Sequence, residues 1–225
     1  MLVLRIIALV IIGSIATLPM VQAEQKPAYI PDIAEFDGTN GIAIAPDPAL
    51  TIRDTGTIEF WVTPEWKKDP GYDPVVLSNA GPNGVLYLVS ILGERNGIEL
   101  AAGDRSVYAA FDFTDGKMHY VAINDYGDET LVYVDAKLIA RFPGFSFEDL
   151  PSAGFWIGTG DGVSAPFKGA IAALRIWNYA IEPEDLIAYS LRDVTAEAED
   201  EHPGIDYLQG ISDFGNRQFY IAEEN

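Results

Sequence analysis

Residues 167–191 read FKGAIAALRIWNYAIEPEDLIAYSL, and this stretch decides the fold. Between Ile171 and Trp177 the residues alternate, with Leu174 and Ile176 on one face of an extended segment and Arg175 and Trp177 on the other. Such alternation marks a β-strand, because successive side chains point to opposite faces of a sheet. The pattern breaks at Glu182-Pro183-Glu184-Asp185. Proline is accommodated in the first turn of a helix, where its missing N–H would lack a partner in any case, and acidic side chains favour the positive end of the helix dipole. The stretch therefore predicts a closing strand followed by a short helix packed on the sheet.

Outward from there the same period recurs. Thr57-Ile58-Glu59-Phe60-Trp61-Val62 alternates cleanly, with Ile58, Phe60 and Val62 on one face. Glu59 and Trp61 share the other face, so pairing with the closing strand predicts a structural Glu59–Arg175 ion pair. Further strands are expected at Val75–Ser78, Val85–Leu92, Gly97–Ala101, Val107–Phe113, Met118–Ile123, Leu131–Asp135 and Phe155–Gly158, separated by turn residues. Ile33 to Ile44, IAEFDGTNGIAI, carries Asp-Gly between two apolar runs and predicts a hairpin. Roughly a dozen short strands at about 8–12-residue spacing predict a two-sheet sandwich.

Composition agrees. At 225 residues, 48% of them hydrophobic, the chain can bury a sizeable core, and 21 Gly with 14 Pro suit a turn-rich β protein. A net charge of −20 opposes binding to nucleic acid or an anionic membrane surface, since both are polyanions. Residues 1–23 read as a signal peptide: one positive charge at Arg5, an apolar run from Ile6 to Leu18, and Val21-Gln22-Ala23 before the expected cut after Ala23. The expected location is therefore secreted or periplasmic, with no membrane insertion after cleavage. With no cysteine, the domain must be held by its core alone. Residues 24–32 read as a lead-in, 33–192 as the single domain, and 193–225 as an acidic linker and tail. The apolar run Ile205 to Ile221 is expected to dock as an extra strand or cover a sheet edge.

Several segments resemble laminin G-like domains of the concanavalin A-like lectin/glucanase superfamily. They are the F-D-G-T-N near residue 36, the T-I-E-F-W-V that follows, the D-G-K-M-H-Y-V-A run at 115–122, the Y-V-D at 133–135 and the R-I-W-N at 175–178 with its acidic helix. The resemblance implies an all-β, two-sheet antiparallel jelly-roll sandwich with one short helix near the C-terminal end of the domain. Met118 stands where that family usually has Trp, and Ala136 where it usually has Gly. The second departure implies that the turn after Asp135 is not of the tightest, glycine-requiring type.

The glucan hydrolases of the superfamily set paired carboxylates on one strand in an E-x-D-x-x-E pattern, one acid and one nucleophile. No such pattern occurs, and Glu59 stands alone on its strand. His119 shares parity with Val121 and Ile123 and reads as a core or hydrogen-bonded residue. Calcium, which takes oxygen ligands from loops, has Asp37, Asp128 and Asp161 as candidate ligands; each also belongs to an ordinary turn sequence. Sugar recognition needs aromatic faces beside polar turns. Trp66, Tyr72, Tyr126 and Trp156 meet that description, although Trp156, like Trp61 and Trp177, also reads as a core residue. The sequence thus predicts an exported, non-catalytic module binding carbohydrate or a cell-surface glycoconjugate, calcium assisting. A structural or protein-interaction module of the cell envelope is the alternative, and a divergent glycoside hydrolase a third.

Overall fold

The structure, a computed structural model, describes residues 33–39, 41–46, 52, 54–65, 70–81, 84–92, 96–147, 154–191, 208–213 and 218–221. Its strands are β1 (Ile33–Asp37), β2 (Ile42–Ile44), β3 (Gly56–Pro64), β4 (Val75–Gly81), β5 (Gly84–Leu92), β6 (Gly97–Ala102), β7 (Arg105–Ala110), β8 (His119–Asp125), β9 (Glu129–Val134), β10 (Lys137–Pro143), β11 (Phe155–Ile157), β12 (Lys168–Trp177), β13 (Leu208–Asp213) and β14 (Gln218–Ile221). One helix, α1 (Leu186–Ser190), follows β12. An eight-stranded sheet runs β10-β9-β8-β3-β12-β13-β14 with β1 also on β12, and a six-stranded sheet runs β2-β11-β4-β5-β6-β7. This is the two-sheet sandwich that the alternation predicts, in the antiparallel jelly-roll arrangement that the resemblance implies.

The core lies between the sheets. Ile58, Phe60 and Val62 of β3 meet Leu77, Leu100 and Ile157 of the opposite sheet, all of them buried. A second apolar layer covers the other face of the large sheet, where Trp177, Tyr120 and Tyr133 pack with Ile181 and Leu186. Segment 178–191 is pinned there by polar groups. Asn124 Nδ2 donates to Ile181 O at 2.6 Å, Ile181 N donates to Thr57 Oγ1 at 3.0 Å, and Trp61 Nε1 donates to Ser190 O at 3.2 Å.

The closing strand works through a bulge. Ala172 stands opposite Trp61 and Arg175 opposite Glu59, so three steps on β12 match two on β3. Ala173 absorbs the extra residue with φ of 46°. An extra residue reverses the parity that faces the core. Ile171 before the bulge and Leu174 and Ile176 after it therefore all point inward, while Arg175 and Trp177 turn to the opposite face.

On its other edge β12 holds two segments in line. β1 pairs with Lys168–Ala172 and β13 with Arg175–Trp177. Both are antiparallel to β12, so they run head to tail in one lane. The tail thus docks as the extra strand that its apolar run predicts, and β14 pairs on β13 beyond it.

Four expectations are corrected. Residues 33–44 are no hairpin: β1 joins β12 in one sheet and β2 joins β11 in the other. The Asp-Gly turn there, with Gly38 at φ 84°, carries the chain between sheets. The turn after Asp135 is of the tight kind: Asp135 and Ala136 have φ of 49° and 58°, and Lys137 pairs with Val134 across a two-residue loop. Positive φ at both central positions defines a type I′ turn, which Asp135 anchors by exchanging backbone and side-chain hydrogen bonds with Tyr120. The helix starts later than its acidic cluster implies, since 183–185 form a turn and no acidic residue lies in its first turn. Strand β7 stops at Ala110, where Phe111 N turns to donate to Asn96 O at 3.1 Å.

Candidate functional site

Registers fix which loops meet. Strand β3 runs from Gly56, opposite Asp125, to Pro64, opposite Gly169. Its nine residues separate the two ends of the sheet by roughly 27 Å. At the Pro64 end the chain enters β12 through residues 158–167 and β4 through the segment ending at Pro74.

Two of the expected sugar contacts come together here. Trp156 lies on the outward face of β11, between Ala43 of β2 and Ser78 of β4. It is half-buried because the 158–165 loop folds back on it. Gly162 sits so close that a Cβ there would lie 2.7 Å from the indole ring, and its φ of 95° suits glycine alone. Tyr72, 42% exposed, donates its hydroxyl to Pro166 O at 3.1 Å, and Val75 N donates to Ala165 O at 3.0 Å. The loop is therefore held between two aromatic residues. Val163 at its tip is 80% exposed.

The loop is internally braced. Thr159 Oγ1, buried, accepts from Asp161 N at 3.2 Å and Gly162 N at 2.8 Å. Asp161 Oδ1 accepts from Val163 N at 3.1 Å and Ser164 N at 2.7 Å, bonds that hold its carboxyl below the usual range. Ser78 Oγ reaches Gly160 O at 2.6 Å from beneath. Thr159, Gly162, Val163 and Ser78 were not readable as site residues. The only hint was the T-G-D-G-V-S run itself, whose threonine and aspartate are the residue types that fold turns through their own side chains.

The remaining candidates lie elsewhere. Trp66 is outside the described residues. Tyr126 follows β8 at the far end of the sheet and packs with the layer around Trp177, so it cannot join Trp156 and Tyr72. Asp128 lies at that same far end, with its carbonyl accepting from Gly144 N at 2.7 Å. Asp37 is at the near end, but its Oδ1 accepts from Thr39 N at 2.9 Å and Thr39 Oγ1 at 2.6 Å, closing its own turn. Among the described residues no group of three or more His, Cys, Asp or Glu side chains is placed to hold a metal ion.

Glu59 has a structural place. It is fully buried, with Oε1 accepting from Arg175 Nη1 at 3.1 Å and Trp177 Nε1 at 2.9 Å, and Oε2 from Tyr120 OH at 2.5 Å. Burial first, and Glu59 second, push the Tyr120 phenol well above its ordinary pKa. Arg175 Nη1 also donates to Tyr189 O at 2.7 Å, tying α1 to the pair. Both carboxylate oxygens are thus engaged beneath a packed helix, closed to substrate. His119, nearly buried between Phe111 and Phe113, bridges Asp135 Oδ2 at 2.9 Å and Asp115 Oδ1 at 3.0 Å. It is hydrogen-bonded, as its strand position predicts.

Two packed antiparallel sheets closed by a bulged strand and a short helix define the class. The matching family model, described as the Concanavalin A-like lectin/glucanases superfamily, spans residues 36–187, and the chain belongs to that family. A search of curated proteins finds no match to the sequence. Among solved structures, the chain is similar to the CBM40 module of the Ruminococcus gnavus IT-sialidase bound to α2,3-sialyllactose. The TM-score is 0.58 at 16% identity, covering 70% of this chain and 96% of that one. It is also similar to domain 4 of AbnA, a GH43 extracellular arabinanase from Geobacillus stearothermophilus, in complex with arabinotriose. There the TM-score is 0.56 at 18% identity, covering 71% and 79%. A candidate carbohydrate-binding protein from Bacteroides ovatus matches with TM-score 0.57 at 20% identity, covering 72% of this chain. The chain spans about half of that protein's length, 47%. At these identities the likeness is one of fold.

Proposed function

We propose that this protein is an exported, non-catalytic carbohydrate-binding module whose ligand is held at the 158–166 loop by Trp156 and Tyr72. The observation that carries the reading is the seating of the Trp156 indole on Gly162 with Tyr72 anchored to Pro166, which sets two aromatic side chains on one braced loop. Sugar C–H faces stack on aromatic rings while hydroxyls bond to polar turn groups. A braced loop loses little freedom on binding, so more of the contact energy appears as affinity. The enclosure of Glu59 supports the non-catalytic part, and the signal-like residues 1–23 support export. The sialidase and arabinanase modules, which carry sialyllactose and arabinotriose on the same fold, support carbohydrate as the ligand class.

A glycan array probed with residues 24–225, with and without calcium, tests the reading. Binding is expected, and Trp156→Ala should weaken it about tenfold, equivalent to roughly 1.4 kcal/mol. A folded protein that binds no glycan under either condition would sink the proposal. The calcium arm separates metal-assisted from metal-free recognition.

A further inference from the structure

We infer that the ligand of the 158–166 loop is a neutral glycan, recognised through its hydroxyl groups acting as donors, and that glycans carrying carboxylate, sulfate or phosphate are rejected. The inference rests on the proposed carbohydrate function and specifies its ligand class.

An anion in a loop is held by free backbone N–H groups, by guanidinium or by ammonium. Here the N–H groups of five consecutive residues are turned inward. Gly160 N donates to Ser164 O at 2.9 Å, Asp161 N and Gly162 N donate to Thr159 Oγ1, and Val163 N and Ser164 N donate to Asp161 Oδ1. The hydroxyls behave alike, since Tyr72 donates to Pro166 O and Ser78 toward Gly160 O. What the loop offers outward is an acceptor. Asp161 is exposed, and its carboxylate, which accepts from Val163 N, Ser164 N and the Ser164 side chain, has lone pairs left over to accept a further hydrogen bond from solvent or ligand. A sugar hydroxyl can donate to that carboxylate; an ionised acid can only be repelled by it.

The surrounding charge has the same sign. Asp37, Glu65, Asp73 and Asp161 are described carboxylates at this end, and the exposed Lys168 stands opposite Asp37 in register. The described arginines are occupied elsewhere. Arg105 donates to Gly144 O, Arg141 pairs with Glu129, and Arg175 is buried with Glu59. A net charge of −20 adds a field that disfavours anionic ligands.

The test uses residues 24–225 and an array pairing neutral pentose and hexose oligosaccharides with their sialylated, sulfated and uronate counterparts. Neutral glycans should be preferred by tenfold or more, with affinities nearly unchanged between low and high salt. Asp161→Asn keeps the acceptor used by Val163 and Ser164 but replaces the other carboxylate oxygen with a donor, so it should narrow that preference. Equal or tighter binding of an acidic glycan than of its neutral partner would overturn the inference and leave carbohydrate binding standing. Failure of the folded protein to bind any glycan would overturn both.

Discussion

Glu59 and Arg175 show how one pair of charges can be structural. Each is opposite the other in register, each is buried, and their remaining bonds go to Tyr120, Trp177 and the carbonyl of Tyr189. Removing one partner of a buried ion pair leaves the other charge without compensation, which costs about 3–5 kcal/mol. Arg175→Ala should lower the free energy of urea unfolding by that amount, and a loss under about 1 kcal/mol would show that the pair does not organise this layer. Ala136 offers the reverse case. At φ 58° its Cβ is strained, so Ala136→Gly should stabilise by roughly 0.5–1 kcal/mol in the same assay. Asp115 adds a pH dependence. The Lys117 backbone N–H, then the Lys117 and His119 side chains, hold its carboxyl well below the usual carboxylate range. A lowered folded-state pKa means that the unfolded chain binds the proton more readily, so the stabilisation is fully present above the ordinary carboxylate range of the unfolded chain and is lost as pH falls from there through the lowered folded-state value. Melting temperatures from about pH 5 downward should fall less steeply for Asp115→Asn than for the native chain.

At the level of elements, the 158–166 loop folds onto the Trp156 indole and the C-terminal hairpin covers an edge of β12. Gly162→Ala would drive a Cβ to 2.7 Å from the Trp156 ring from a left-handed backbone, so the loop must lift away from the indole. Loss of glycan binding with the fold retained by circular dichroism is the expected result; unchanged affinity would show that the loop does not shape the site. The hairpin β13–β14 completes the lane that β1 begins on β12. Without it, the backbone groups of Arg175–Trp177 would line an open edge, a template for pairing with other chains. A chain ending at Glu201 should therefore associate with rising concentration in light scattering more than the full chain does.

For the whole molecule, the sandwich was legible because burial imposes period two on paired strands, and β3 and the Leu174–Trp177 half of β12 show it. Even the Glu59–Arg175 pair followed, since two charges on the outward parity of adjacent strands must meet. Strand partners were less legible. The apolar runs at 33–37 and 42–44 say nothing about which sheet takes them, and the Asp-Gly between them serves a crossover as well as a hairpin. The candidate loop region is half legible: Tyr72 and Trp156 are aromatics beside polar turns that both reach the 158–166 loop, whereas Tyr126 fits the same description and lies roughly 27 Å away along β3. Residue type and local spacing are short-range information, and they determined the alternation, the turns, the charge and the signal-like start. Only the tertiary structure decided that residues 72, 156 and 162 converge and that the loop donors point inward. It also decided that a bulge at Ala173 turns Ile171 and Leu174 to the same core, because these depend on registers set by the packing of the sheets as a whole.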